Sequence, residues 1–246
     1  MASTNETGHA KNVANFLELL GFCIGYGPDY NPTKAALKLP TLQTLHISAA
    51  KSIEALDFAN TALDNATNDR EIAFAPLKKL VTRIVNALSA TDAMPQTVDD
   101  ANKASFKIQG RRASAKVAPT PAKDGQPAKE STSISTSQQS FDNQVANFAK
   151  LIQTLSAEPL YVPNETDLQV ASLNVLHTDL KNKNADVVTA TTAASNALIE
   201  RNKILYDKTT GLCATALAVK KYVKSVFDAT NPKFLQVSGI AFKTIK

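Results

Sequence analysis

The string Val13-Ala14-Asn15-Phe16 returns 132 residues later as Val145-Ala146-Asn147-Phe148, and this recurrence constrains the fold more than any other feature of the chain. A register of 131 then takes over. Tyr30-x-Pro32 matches Tyr161-x-Pro163, and Leu37 matches Leu168. Leu42-x-x-Leu45-His46 matches Leu173-x-x-Leu176-His177, and Asn65-Ala66 with Arg70 matches Asn196-Ala197 with Arg201. Past Arg70 the register widens to 142, where Lys78-Lys79-x-Val81 meets Lys220-Lys221-x-Val223. Self-similarity at a fixed shift is the mark of a duplicated folding module. We therefore expect a helical repeat over residues 1–110, a linker over 111–140 and a second helical repeat over 141–246.

The linker expectation rests on composition. Residues 111–140 hold Pro119, Pro121, Pro127 and the polar run Ser131 to Ser137, too little apolar surface to offset the entropy of ordering. Charge gathers beside it. Lys103, Lys107, Arg111, Arg112, Lys116, Lys123 and Lys129 face only Asp124 and Glu130 within residues 103–130, so this stretch alone matches the net charge of +5 of the whole chain. A basic segment of this kind suits a polyanion, so nucleic-acid binding through residues 103–130 is one expectation. A solvated linker is the stronger one, because no aromatic side chains for base stacking accompany the basic ones beyond Phe106. Arg111-Arg112-Ala113-Ser114 also resembles a basic-directed phosphorylation site, a match that four residues often make by chance.

Within each repeat the apolar period is helical. Residues 11–24 place Val13, Phe16, Leu17, Leu20 and Cys23/Ile24 on one side, and Gly25-Tyr26-Gly27-Pro28 closes the helix. Asn31 before Pro32 reads as an N-cap, and Asn164 with Asp167 as an acidic capping box. A long seam follows: Leu42, Leu45, Ala49, Ile53, Leu56, Ala59, Leu63 and Ala66, with Leu173, Leu176, Leu180, Val187, Ala190, Ala194 and Ala197 as its counterpart. Phe74, Leu77, Val81, Ile84 and Leu88 continue the first stripe. A turn at residues 67–69 or at Pro76 would divide it, but Leu198-Ile199-Glu200 carries no turn signal, so one long, bent helix per repeat is expected. Val98 to Lys103 reads as a short helix, and Phe106–Ile108 and Phe234–Phe242 as short strands able to pair. The expected fold class is thus all-α, an elongated bundle of two tandem repeats with a minor two-stranded β pairing.

Only 8 Gly, 2 Cys and no Trp occur among 246 residues. That argues against a disulfide scaffold, a zinc-finger array and the glycine-dependent nucleotide folds. Gly25-x-Gly27-Pro28 lacks the preceding strand and third glycine of a phosphate loop. The polar start of the chain and the short apolar stretch Phe16 to Tyr26 predict a cytoplasmic protein without export signal or membrane span. Leaderless release or incorporation into a virion would leave the same sequence. Cys23 and Cys213 then read as reduced, buried, small hydrophobes.

Chemistry-bearing residues are sparse. His46 and His177 are repeat-equivalent, and a symmetric metal or switch pair is the functional reading. No ligand lies three or four residues from His46, and only Lys181 follows His177 at that spacing, so helix-flank histidines are expected. Asp69-Arg70 and Glu200-Arg201 suggest a repeated ion pair between the repeats or a solvated helix face, and Tyr30 and Tyr161 packing residues with satisfied hydroxyls. No catalytic, cofactor-binding or metal-binding residue is expected. The expected function is a non-enzymatic structural or interaction protein that self-assembles or binds a protein partner. A membrane-active helical protein and a nucleic-acid binder are the alternatives.

Overall fold

The computed structural model describes residues 8–111 and 139–244, and among these there is no strand. Eight α-helices follow in order: α1 (His9–Gly25), α2 (Leu39–Phe74), α3 (Leu77–Ser89), α4 (Pro95–Gln109), α5 (Phe141–Ser156), α6 (Val170–Tyr206), α7 (Leu212–Phe227) and α8 (Pro232–Ser238). Short 3-10 turns at Ala35–Leu37 and Thr166–Leu168 precede α2 and α6. The fold is all-α. The paired strands expected at the repeat ends do not form: Phe106–Ile108 completes α4, and Phe234 lies in α8. Apolar residues there recur at helical spacing, with Ala101, Ala104 and Ile108 buried on one side of α4.

The chain divides into two compact units. Unit 1 comprises Met1–Asp64 with Thr189–Lys246, and unit 2 comprises Asn65–Val188. Each unit takes helices from both sequence repeats. Of the expected linker, residues 112–138 lie outside the described residues, as does Ser114 of the candidate phosphorylation site.

In unit 1, α1 packs on α7 and α8, and α7 also meets the 3-10 turn at Ala35–Leu37. Phe16, Leu19, Leu20 and Cys23 of α1 share one buried cluster with Leu212, Ala216, Val219 and Val223 of α7. The buried side of α1 is shifted from the expected one. Leu17 and Ile24 are half-exposed, whereas Leu19 and the polar Asn12 and Asn15 are buried. The asparagines belong inside because they bind backbone of the C-terminal tail.

In unit 2, α4 packs on α3 and α5, and α3 meets the turn at Thr166–Leu168. Val81, Ile84 and Leu88 of α3, Ala101 and Ile108 of α4, and Phe148, Leu151 and Leu155 of α5 form its core. Sealing Phe16 or Phe148 from water contributes roughly 2–3 kcal/mol per ring.

The long run is broken where the sequence left two options. α2 ends at Phe74, and Ala75-Pro76 turns the chain into α3. The proline ring cannot donate its backbone nitrogen and clashes with the preceding turn, so a continuous helix through residue 76 is not formed. In the second repeat the helix passes through Leu198-Ile199-Glu200 and stops at Tyr206. There the Asp207 carboxylate accepts from the backbone and hydroxyl groups of both Thr209 and Thr210 at 2.8–2.9 Å. Those four hydrogen bonds hold the carboxyl well below its ordinary titration range. Gly211 follows, close enough that a Cβ there would sit 2.5 Å from the Asp207 backbone nitrogen. The buried positions of α3 and α7 share the same spacing at a shift of 135, where the sequence match gives 142. Leu77, Val81, Ile84 and Leu88 correspond to Leu212, Ala216, Val219 and Val223, all essentially inaccessible. Seven residues separate the registers, about two helical turns, so both present the same face.

Neither asparagine expected as a cap is one. Asn31 lies in an irregular stretch, its backbone N–H donating to the Tyr222 hydroxyl at 3.2 Å, and α2 starts eight residues later. Asp167 belongs to a 3-10 turn and pairs with Arg83 rather than with a helix terminus.

Candidate functional site

The polar side chains of each unit converge where a long helix ends against the first turn of α1 or α5. In unit 1 the Tyr206 hydroxyl lies 2.6 Å from His9 Nδ1 and accepts from Asn12 Nδ2 at 3.3 Å. The His9–Tyr206 contact is a hydrogen bond in either tautomer: the phenol donates to a bare Nδ1 or accepts from a protonated one. Burial and the nearby Arg201 guanidinium depress the His9 pKa and so favour the neutral imidazole. Asn12 goes further. Its Nδ2 donates to the Lys243 carbonyl at 2.7 Å and its Oδ1 accepts from the Lys243 N–H at 3.1 Å. Asn15 Nδ2 donates to the Ala241 carbonyl at 2.7 Å. The segment after α8 has no strand partner, so these amides satisfy its backbone. Lys220 reaches the same segment, donating to the carbonyls of Ser238 and Ile240, and desolvation lowers its pKa.

Unit 2 has a related arrangement with different chemistry. The Arg70 guanidinium sits 4.1 Å from the centre of the Phe141 ring, and Phe74 meets that ring edge-on at 4.8 Å. Arg70 Nη1 donates to Asn184 Oδ1 at 3.2 Å, and Asn184 Nδ2 to Asp142 at 2.6 Å. Asp69-Arg70 and Glu200-Arg201, expected to pair with each other between the repeats or to lie solvated, have other partners. Asp69 binds Lys183 at 3.1 Å, Glu200 lies 3.8 Å from Lys203, and Arg201 donates to Asn202 Oδ1.

The two tyrosines are placed alike. Tyr30 donates to the Leu37 carbonyl at 2.8 Å and Tyr161 to the Leu168 carbonyl at 2.9 Å, both phenols buried. Desolvation raises both pKa values, that of Tyr161 to about 12. Cys23, hydrogen-bonded to Tyr30, is pushed up to about 12 by burial, and Cys213 to about 11. Both thiols are free.

An open depression of about 450 Å³ lies on unit 2 between α5 and α6, lined by Ile152, Gln153, Ser156, Asn174 and His177 with two alanines. The His177 ring tilts against Phe148 at 6.3 Å. Ser156 donates its hydroxyl to the Ile152 carbonyl, and Asn174 donates to Val170. A hydroxyl turned back into its own helix is not presented to a base, so the depression offers hydrogen-bonding edges rather than a nucleophile. His46 lies in unit 1 and His177 in unit 2, each on its long helix. No group of three histidine, cysteine or carboxylate side chains suited to a metal gathers among the described residues.

Of the basic stretch 103–130, the described part ends at Arg111. Lys103 there pairs with Asp100 at 2.8 Å, and Lys107 is exposed on the last turn of α4. No described helix is long and apolar enough to cross a membrane. No family model, curated protein or solved structure matches this chain.

His9, Asn12 and Asp207 carry no signal in the sequence, and Lys220 stands out there only through its match to Lys78. A signal existed for one position: Asn15 recurs as Asn147 inside an otherwise apolar motif, and both are buried.

Proposed function

We propose that the chain is a non-enzymatic structural or interaction protein, a tandemly duplicated helical module whose copies assemble into a larger particle or filament. The observation that carries this reading is the makeup of the two units, each combining the opening helices of one repeat with the closing helices of the other. The repeated order of elements, the matched Tyr30 and Tyr161 hydrogen bonds and the matched cores of α3 and α7 support a duplication. The polar cluster of unit 1 supports a structural role, since its side chains bind backbone. Asn12, Asn15, Tyr26 and Lys220 all fasten chain segments in unit 1.

Light scattering across a concentration series tests the assembly reading. Growth of the scattering mass with concentration is expected. A monomer at every concentration that also recovers no protein partner would overturn it. Dye release from liposomes would favour the membrane-active alternative, and salt-sensitive binding to polynucleotides the nucleic-acid one.

A further inference from the structure

Neither half of the chain holds a complete core among its described helices. Phe16 and Leu19 of the N-terminal half share their cluster with Val219 and Val223 of the C-terminal half. Ile84 and Leu88 of the N-terminal half share the other with Phe148 and Leu151. The polar fastenings run the same way. Asn12 binds the backbone of Lys243, Lys233 binds Asp29 at 2.8 Å, and Arg83 binds Asp167 at 2.5 and 3.2 Å. A half alone would expose two separate apolar faces, each built to be covered by the other half.

We propose that residues 8–111 and 139–244 are obligate complements, and that a second copy of this chain can supply the missing half in trans. An exchanged dimer would contain the same two cores and the same polar contacts as the monomer, so contact energy does not distinguish them. The covalent junction does. It holds the chain's own halves together at a high effective concentration, and exchange requires either a severed junction or a crowded solution. As a mode of assembly this rests on the reading above; as a statement of which surfaces pair it rests on the two cores alone.

The test uses the full chain with a protease site placed within residues 112–138. One preparation carries an N-terminal tag and a second is isotopically heavy. After cleavage, the two fragments of each preparation should co-elute as one species with unchanged helical circular dichroism. When both cleaved preparations are mixed, unfolded in urea and diluted, the tag should recover heavy C-terminal fragments in proportion to the mixing ratio. Leu88→Ala in the cleaved chain should weaken fragment association at least tenfold, as expected for a core leucine truncation. Fragments that part without denaturant and each melt cooperatively as monomers would overturn the proposal. So would recovery of only light C-terminal fragments, or failure of the mixture to regain helix. An intact chain that stays monomeric while its fragments pair would sink only the assembly reading.

Discussion

The Tyr30 hydroxyl donates to the backbone carbonyl of Leu37 across 2.8 Å, closing the irregular segment between α1 and α2 onto itself. Tyr161 makes the same closure onto Leu168 before α6. Tyr30→Phe and Tyr161→Phe each remove the donor while leaving a buried carbonyl unsatisfied, so each should cost about 1–2 kcal/mol. Urea denaturation of the two variants measures this. The Tyr30 variant should lose at least as much as the Tyr161 one, because the Tyr30 hydroxyl also bonds the Cys23 thiol. A negligible loss at either site would show that its carbonyl finds water instead.

His9 couples unit 1 to pH. Its pKa is lowered in the folded chain by burial and by Arg201, while the unfolded chain binds the proton near pH 6.5. In that window the unfolded state holds more protons, so stability rises with pH. The contribution is complete above about pH 6.5 and is lost as pH falls through the lower folded value. The other groups at this place are the phenol of Tyr206 and, beyond it, the Cys213 thiol, both neutral in this range. His9→Phe, which copies the ring found at Phe141, should flatten the dependence. Melting temperatures of both proteins between pH 7.5 and 5 provide the check; identical slopes would refute the assignment.

What the sequence made legible was period rather than punctuation. The seam from Leu42 to Ala66 lies on the inward side of α2, with Leu42, Ala49, Leu56 and Ala59 buried, because burial at every third or fourth position is a local property of the string. Pro76 carried a signal that a comparison with Leu198-Ile199-Glu200 outweighed. The second long helix breaks seven residues past Glu200, at Asp207 to Gly211, where a carboxylate caps a turn. Leu17 and Leu19 show the limit on the core side. Both fit a stripe on α1, and the choice between them depended on Asn12 and Asn15 binding residues more than 220 positions away. The polar clusters were illegible for the same reason: His9 and Tyr206 have no local pattern linking them.

The two thiols should be inert in the folded protein. Burial raises Cys23 to about 12 and Cys213 to about 11, so thiolate is scarce at neutral pH and access is blocked. A thiol-specific chromogenic reagent should label neither at pH 8 and both after addition of denaturant. Rapid labelling of either without denaturant would mean that α1 or α7 opens readily.

Two glycines separate backbone necessity from tolerance. A Cβ at Gly211 would lie 2.5 Å from the nitrogen and 2.6 Å from the oxygen of Asp207, both backbone atoms that cannot rotate away. Gly211→Ala must therefore push α7 off the end of α6 or open the Asp207 turn, at a cost of roughly 1–3 kcal/mol. Gly21 lies within α1 with nothing within 4 Å of the same construction. There alanine meets no obstacle and removes the conformational freedom of an unfolded glycine, so Gly21→Ala should stabilise by about 0.5–1 kcal/mol. Thermal and urea unfolding of both variants should move in opposite directions. A stabilising Gly211→Ala would show that the chain between α6 and α7 is not held as tightly as the Asp207 hydrogen bonds require, while a destabilising Gly21→Ala would place a neighbour against the outer face of α1.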